Sequence, residues 1–96
     1  MSFVYLYTIT CKNPKITEKY LGYTSDFAAT KKYRSEEYDY GSNATSKLYT
    51  FVREHGGWSN WLLTILEGYD TRDEALIFKL SLFEKYKFDL NSDFSK

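Results

Sequence analysis

Apolar positions near the N-terminus follow the pattern of a covered β-strand. Residues 3–10 carry apolar side chains on both alternating faces, which is typical of a central strand buried on both sides. Residues 18–24 form a second run rich in aromatic residues, and Asn13-Pro14 between the runs is a turn signal. The pattern predicts a β-hairpin, in which Gly22 indicates a bulge or a close approach to the backbone.

Helical signals begin directly after the second run. Ser25 or Asp26 is a suitable N-cap for a first helix over residues 27–37. The turn residues of the stretch 38–43 predict a loop.

A second helix is predicted over residues 46–55. Leu48, Phe51 and Val52 stand at the i, i+3, i+4 spacing of one helix face. Gly56 is suited to the left-handed conformation that ends many helices.

The last two predicted elements are a strand over residues 58–66 and a helix over residues 72–86. Thr71 and Glu74 have the spacing of a capping box, which fixes the start of the helix. Its apolar residues at helical spacing predict the buried face: Ala75, Leu76, Leu80 and Phe83. The order ββααβα predicts an α+β domain, a small three-stranded antiparallel sheet flanked by three helices.

Composition narrows the class of protein. The chain has 96 residues, so we expect a single domain over residues 1–91 and a polar C-terminal tail over 92–96. Hydrophobic residues make up 43% and aromatic residues 20%, which favours a packed core over disorder. Thirteen basic residues balance 13 acidic ones, so the basic excess of many nucleic-acid-binding proteins is absent.

Two triplets on the predicted hairpin resemble the signature of the GIY-YIG endonuclease family. They are Tyr5-Leu6-Tyr7 and Tyr20-Leu21-Gly22. The likeness extends over roughly residues 3–91 and includes the Gly-Tyr-Thr entry to the first helix and the Ala-Leu pair of the last one. The second helix, with its Gly-Gly-Trp exit, is similar to stand-alone members from large DNA viruses. The resemblance implies the GIY-YIG fold and, for the family, metal-assisted cleavage of phosphodiesters.

The resemblance also implies roles for individual positions. Tyr7 and Tyr20 match the family's catalytic tyrosines, whereas the arginine position falls on Thr30 and the metal-binding glutamate position on Lys79. A lysine there replaces an anionic ligand by a cation, so no metal residues are expected and the tyrosines are interpreted as vestigial. A register shift leaves three substitutes for the arginine: Lys31, Lys32 and Arg34.

The resulting hypothesis is a catalytically degenerate domain that binds nucleic acid or protein. Weak binding to DNA or RNA is expected through the basic residues of the N-terminal half: Lys12, Lys15, Lys19, Lys31, Lys32 and Arg34. One alternative is a virus-encoded virion or assembly component that interacts, or self-associates, through exposed aromatics: Tyr38, Tyr40 and Trp58. A second alternative is an active endonuclease with a rearranged site. No cofactor is expected except Mg²⁺ in that last case.

Location is predicted from what the sequence lacks. A single cysteine, Cys11, fits a reducing compartment, and neither a signal peptide nor a spanning apolar run is visible. We expect a soluble intracellular protein, associated with the virion under the viral alternative, and no membrane partner. The only histidine, His55, is interpreted as a helix-capping residue.

Overall fold

The computed structural model describes residues 3–40, 47–88, 90 and 91, which form a three-stranded antiparallel sheet with helices on both faces. The elements in chain order are β1 (Val4–Cys11), β2 (Lys19–Thr24), α1 (Phe27–Tyr40), α2 (Lys47–Glu54), a 3₁₀ turn (Trp58–Asn60), β3 (Trp61–Tyr69) and α3 (Arg72–Lys85). The predicted α+β class and element order are confirmed.

The sheet has the order β2-β1-β3, so the first strand is central as its two apolar faces predict. Tyr7 stands opposite Gly22 on β2 and opposite Ile65 on β3. The register with β3 shifts between Leu6 and Tyr7, which leaves Leu66 as the extra residue of a bulge. The β1–β2 register is unbroken, so Gly22 is not a bulge.

Two clusters of buried residues lie on opposite faces of the sheet. One face joins Tyr7 and Ile9 of β1 to residues of α2 and β3. The other joins Leu6 and Leu21 to Ala75 of α3. Because alternate side chains of a strand point to opposite faces, Tyr7 belongs to the face covered by α1 and α2.

The outer edge of β2 is closed by the end of the described chain. The Leu90 amide donates to the Lys19 carbonyl over 3.1 Å. The side chain of Asn91 accepts from the Leu21 amide and donates to the Leu21 carbonyl, each over 2.8 Å. Asn91 is 5% exposed, so one buried carboxamide satisfies both outward backbone groups of Leu21 on the edge strand.

The first helix is longer than predicted. Residues 38–40 were predicted as loop, but α1 continues through Tyr40. The ring of Tyr38 packs on Tyr49 and Trp58, with centroids 6.0 and 5.6 Å away, and this contact favours a further helical turn over the local turn signals. Residues 41–43 of the predicted loop, Ser46 of the predicted second helix and the predicted tail lie outside the described residues.

The third strand starts later than predicted. Gly57 has φ +80°, and the Asn60 amide donates to its carbonyl over 3.0 Å, so Trp58–Asn60 forms a 3₁₀ turn. The strand runs from Trp61 to Tyr69, beyond the predicted end at Leu66. Gly56 has φ +101°, the left-handed conformation predicted at the end of α2.

The predicted cap of α3 is confirmed, but its predicted buried face is wrong at one position. The Thr71 hydroxyl accepts from the Glu74 amide over 3.1 Å. Ala75 is fully buried, whereas Leu80 is 61% exposed. The inward stripe runs from Ala75 through the half-buried Lys79, one turn later, and Leu80 lies about 100° away from it.

Candidate active site

The hairpin brings Tyr7 and Tyr20 together, on adjacent strands and one face of the sheet. Their ring centroids are 6.4 Å apart. Gly22 makes room for the Tyr7 ring, because a Cβ at this position would lie 2.6 Å from Tyr7 Cζ and from its hydroxyl oxygen. The predicted close approach at Gly22 is therefore the approach of Tyr7 to the backbone of β2.

A guanidinium group from α1 joins the two tyrosines. Arg34 Nη2 donates to the Tyr20 hydroxyl over 2.7 Å and to the Tyr7 hydroxyl over 3.0 Å, and Nε donates to Tyr7 over 3.2 Å. The Arg34 Cζ also lies 4.7 Å from the centroid of the Tyr20 ring. Arg34 is one of the three substitutes that the sequence offered for the family's arginine.

A third tyrosine, which sequence reasoning missed, completes this group. Arg34 Nη1 donates to the Tyr49 hydroxyl over 3.3 Å. Tyr49 lies on α2 beside the apolar stripe and is 2% exposed. An aromatic residue next to such a stripe is ordinarily packing, so the sequence carries no signal for its polar contact. We call Arg34 with Tyr7, Tyr20 and Tyr49 the tyrosine–arginine cluster.

The residue aligned with the family's arginine does not reach this cluster. The Thr30 hydroxyl lies 2.6 Å from the Thr24 hydroxyl, at the beginning of α1. Arg34 follows one helical turn later on the same face and occupies the position over the two tyrosines. The positive charge that appeared to be lost at Thr30 is present in the structure at Arg34.

Burial governs the electrostatics of the cluster. It raises the pKa of Tyr7 above the ordinary value of 10.0, and the nearby Arg34 only partly offsets the effect. Burial likewise raises the pKa of Tyr49, with a further contribution from the carboxylate of Glu37. Burial disfavours the charge of Arg34, but Tyr20, Tyr7 and Tyr49 outweigh it and raise its pKa. At neutral pH the cluster therefore holds a guanidinium cation next to the uncharged phenols of Tyr7 and Tyr49.

The phenols retain hydrogen atoms that they can donate. A hydroxyl that accepts from a guanidinium still carries its own O–H donor. Among the described residues, the hydroxyls of Tyr7 and Tyr20 have only Arg34 as a hydrogen-bond partner. Tyr7 is 1% exposed whereas Tyr20 is half-buried, so an acceptor from solution would reach the cluster at Tyr20.

Alkaline pH is expected to destabilise the domain through these buried phenols. Folding favours the protonated form of Tyr7 and Tyr49, so their contribution to stability is complete below pH 10 and is lost as the pH rises through their raised values. Chemical denaturation between pH 8 and about 12 should show a steeper loss of unfolding free energy for the wild type than for Tyr7→Phe. Replacement of the exposed Tyr33 by Phe should leave the wild-type slope unchanged, and equal slopes for all three proteins would contradict this explanation.

The residue that the sequence aligned with the family's metal-binding glutamate lies on α3. This residue is Lys79, and its Nζ lies 5.2 Å from the centroid of the Tyr23 ring and 5.7 Å from that of Phe83. Tyr23 points to the α3 face of the sheet, opposite to the face of Tyr7. Within residues 3–40, 47–88, 90 and 91, no group of three or more His, Cys, Asp or Glu residues could hold a metal ion.

The predicted basic residues lie on several different elements of the fold. Lys12 and Lys15 are exposed in the β1–β2 loop, and Lys31 and Lys32 are exposed on the first half of α1. These two pairs lie toward opposite ends of β2. Two further members face inward: Lys19 Nζ is 5.3 Å from the centroid of the Phe88 ring on the α3 side, and Arg34 lies in the tyrosine–arginine cluster.

Two of the three aromatics predicted to be exposed are packed instead. Tyr38 and Trp58 are half-buried against the core cluster of α2, and Arg53 Cζ lies 4.8 Å from the centroid of the Tyr38 ring. The prediction that these two side chains are exposed is wrong, because α1 and the 3₁₀ turn bring both rings onto Tyr49. The side chain of Tyr40 lies outside the described residues.

The comparisons with known proteins bear on this arrangement. A family model, the GIY-YIG catalytic domain, matches residues 3–95 of the chain. Comparisons with curated proteins and with solved structures gave no match. None of the helices in the described part of the chain is both long and apolar enough to cross a membrane.

Proposed function

This chain belongs to the GIY-YIG family, and we propose that it is a catalytically degenerate member that binds the phosphates of nucleic acid without cleaving them. One observation supports this proposal above others. Each hydrogen bond between the Arg34 guanidinium and a described residue ends on a tyrosine hydroxyl. The fork of Arg34 is therefore held in place by neutral groups and keeps its full charge.

A guanidinium in this setting is suited to a phosphate. Its planar fork matches two phosphate oxygens, and charge-assisted hydrogen bonds of this kind are among the strongest in proteins. Four bonds to tyrosines leave one of the five N–H donors of Arg34 available, on Nη1. The hydroxyl of the half-buried Tyr20, which accepts from Nη2, also keeps its own O–H donor. The cluster therefore offers a phosphate one guanidinium N–H, one phenol O–H and a cation.

The same geometry supports binding over hydrolysis. The raised pKa of Tyr7 keeps its phenol protonated at neutral pH, so it is a hydrogen-bond donor and a poor general base. Lys79 supplies a cation where the family's metal ligand should be. The domain therefore retains the family's contacts to phosphate and lacks the group that would activate the phosphodiester.

The proposal is tested by the Arg34→Met variant. Fluorescence polarisation with labelled single- and double-stranded DNA and RNA should show that the variant binds about 10- to 100-fold more weakly, since hydrogen bonds to charged groups are worth about 1.5–3 kcal/mol. Lys32→Met is the matched control, because it removes an exposed charge from the same helix. This control should lower the affinity only slightly.

The salt dependence of the affinity distinguishes binding to phosphates from binding through uncharged contacts. Each phosphate contact releases counterions, so wild-type affinity should fall steeply with salt and the slope for Arg34→Met should be shallower by about one contact. No binding by the wild type at low salt, or equal losses for the Arg34 and Lys32 variants, would overturn the proposal. Chelator-sensitive nicking of plasmid DNA by the wild type would instead favour an active endonuclease with a rearranged site.

Source and location are also part of the proposal. The second helix and its Gly-Gly-Trp exit support a domain of the viral type, acting inside the infected cell. The alternative of a virion or assembly component loses the support of Tyr38 and Trp58, which the fold has packed.

A further inference from the structure

The two edge strands of the sheet differ in the hydrogen bonding of their outer sides. The outer edge of β2 is closed by Leu90 and by the side chain of Asn91. At the other end of the sheet, β3 pairs with β1 on its inner side, and no described residue pairs with its outer side. An open edge presents unpaired N–H and C=O groups, which can pair with a strand from another chain.

The open strand carries the usual protection of an edge only toward its C-terminal end. Natural edge strands carry charges, prolines or bulges that prevent pairing. Here the bulge lies at Leu66 and the first charge at Glu67, whereas residues 61–65 contain no charge, proline or glycine. Its side chains are nevertheless exposed on both faces of the sheet: Leu62 is 48%, Ile65 42% and Leu66 46% exposed. The bulge at Leu66 limits a regular edge to the residues before it.

We propose that β3 pairs with β3 of a second copy of this chain, in antiparallel orientation about a two-fold axis at Thr64. This register places Leu63 opposite the second copy's Ile65 within the regular edge, and Leu62 opposite its Leu66 at the bulge. Apolar side chains therefore meet on both sides of the axis, and the exposed Thr64 meets itself on the axis.

Charge favours a second copy over a nucleic acid or a charged protein as the occupant of this edge. The chain has no net charge, so two copies do not repel each other. In the proposed register Glu67, the first charged residue of β3, stands opposite Trp61 and far from its own copy. The apolar surface also continues onto α3, where Phe78 is 50% exposed and stacks on Tyr69 of β3 with centroids 5.0 Å apart.

The pairing has a geometric result that goes beyond phosphate binding by one domain. A two-fold axis between antiparallel edge strands stands perpendicular to the sheet, so the joined sheet has the order β2-β1-β3-β3-β1-β2 and keeps its faces. The face covered by α1 and α2 is then on the same side in both copies. The two tyrosine–arginine clusters then lie on the same side of the joined sheet.

A charge swap at the axis tests the pairing. In a homodimer of Thr64→Lys, or of Thr64→Glu, two like charges stand directly opposite each other across the axis. Sedimentation velocity should therefore show a concentration-dependent dimer for the wild type. Each variant should self-associate at least about tenfold more weakly. An equimolar mixture of the two variants should recover the dimer, because Lys then meets Glu. Thr17→Lys, which adds the same charge in the exposed β1–β2 loop, should sediment like the wild type.

The mixture keeps the test valid if a substitution damages the fold. Two misfolded variants would not restore each other, whereas two folded monomers would. A wild type that stays monomeric up to submillimolar concentration overturns the proposal, as does a mixture that stays monomeric while both variants melt like the wild type. Since Arg34 is untouched, loss of phosphate binding and loss of the dimer are separate results.

Discussion

Replacement of Lys79 by glutamate is expected to give the domain a divalent metal site that the wild type lacks. The change removes a cation and supplies the anionic oxygen ligand that Mg²⁺ and Mn²⁺ require. Two unit charges about 4 Å apart interact by about 4 kcal/mol at an effective dielectric constant of 20. Removal of the repulsion between the Lys79 ammonium and the metal ion alone therefore corresponds to an increase of about a thousandfold in metal affinity. Isothermal titration calorimetry with Mn²⁺ is the direct measurement.

The structure simplifies the design of this variant. Counting along the sequence suggested that Thr30→Arg would also be needed, but Arg34 already supplies the guanidinium. The single substitution Lys79→Glu is therefore the variant to test for metal binding. Because Lys79 lies on the α3 face of the sheet and Arg34 on the opposite face, a plasmid-nicking assay is expected to show no nicking even if the variant binds metal. Chelator should abolish any nicking that the variant gains.

A nearby cation competes for the new carboxylate. Arg72 Cζ lies 5.7 Å from the centroid of the same Tyr23 ring that Lys79 contacts. If Arg72 pairs with the carboxylate, the double variant Lys79→Glu with Arg72→Gln should bind Mn²⁺ more tightly than the single variant. The matched control is Lys85→Glu, the same charge reversal at an exposed position of α3, which should bind no more Mn²⁺ than the wild type. Failure of both Lys79 variants to bind Mn²⁺ would show that this position is not a metal site.

Substitution of Gly22 by alanine should cost more stability than the same change at Gly68, the other glycine of the described strands. The new Cβ would lie 2.6 Å from Tyr7 Cζ and 2.9 Å from its Cε2, and the buried ring has little room to move. Overpacking costs about 1–3 kcal/mol, and displacement of Tyr7 also disturbs its bonds to Arg34. We expect a total near 3 kcal/mol, which lowers the melting temperature by about 12–24 °C in a domain of this size.

Two variants make the Gly22 result specific. Gly68→Ala is the matched control on β3, where the new Cβ would meet only Tyr5, at 3.1 and 3.2 Å, and this half-buried ring can shift. Its cost should stay below about 1 kcal/mol. In a Tyr7→Leu background the clash disappears, so Gly22→Ala should add little further loss. Full additivity of Gly22→Ala and Tyr7→Leu would show that the clash is not the cause.

The parts of the site that could be predicted from the sequence are those fixed by local signals. The Asn-Pro turn and the two aromatic runs determine the hairpin, and the hairpin alone places Tyr7 beside Tyr20. The cap at Thr71 is equally local, since its hydroxyl bonds a backbone amide three residues away. These features depend on residues close in sequence, so no tertiary information was needed.

The other half of the cluster depends on how separate elements pack. Thr30 and Arg34 share one face of α1, and only the placement of the helix over the sheet decides which of them lies above the tyrosines. Tyr49 comes from α2, and its contact with Arg34 spans 15 residues. The start of β3 was misplaced for a related reason, because a Trp next to Gly-Gly is compatible with a strand or a tight turn until its packing on Tyr38 is known.

The carboxamide of Asn91 also sets the order of events when the domain is made. Its partner, Leu21, lies 70 positions earlier in the chain. At a synthesis rate of about 5–20 residues per second, the outer side of β2 waits about 4–14 seconds for the group that completes it. During translation this hairpin is exposed to nascent strands and chaperones, and the domain is expected to reach its native fold only after residue 91 has left the ribosome.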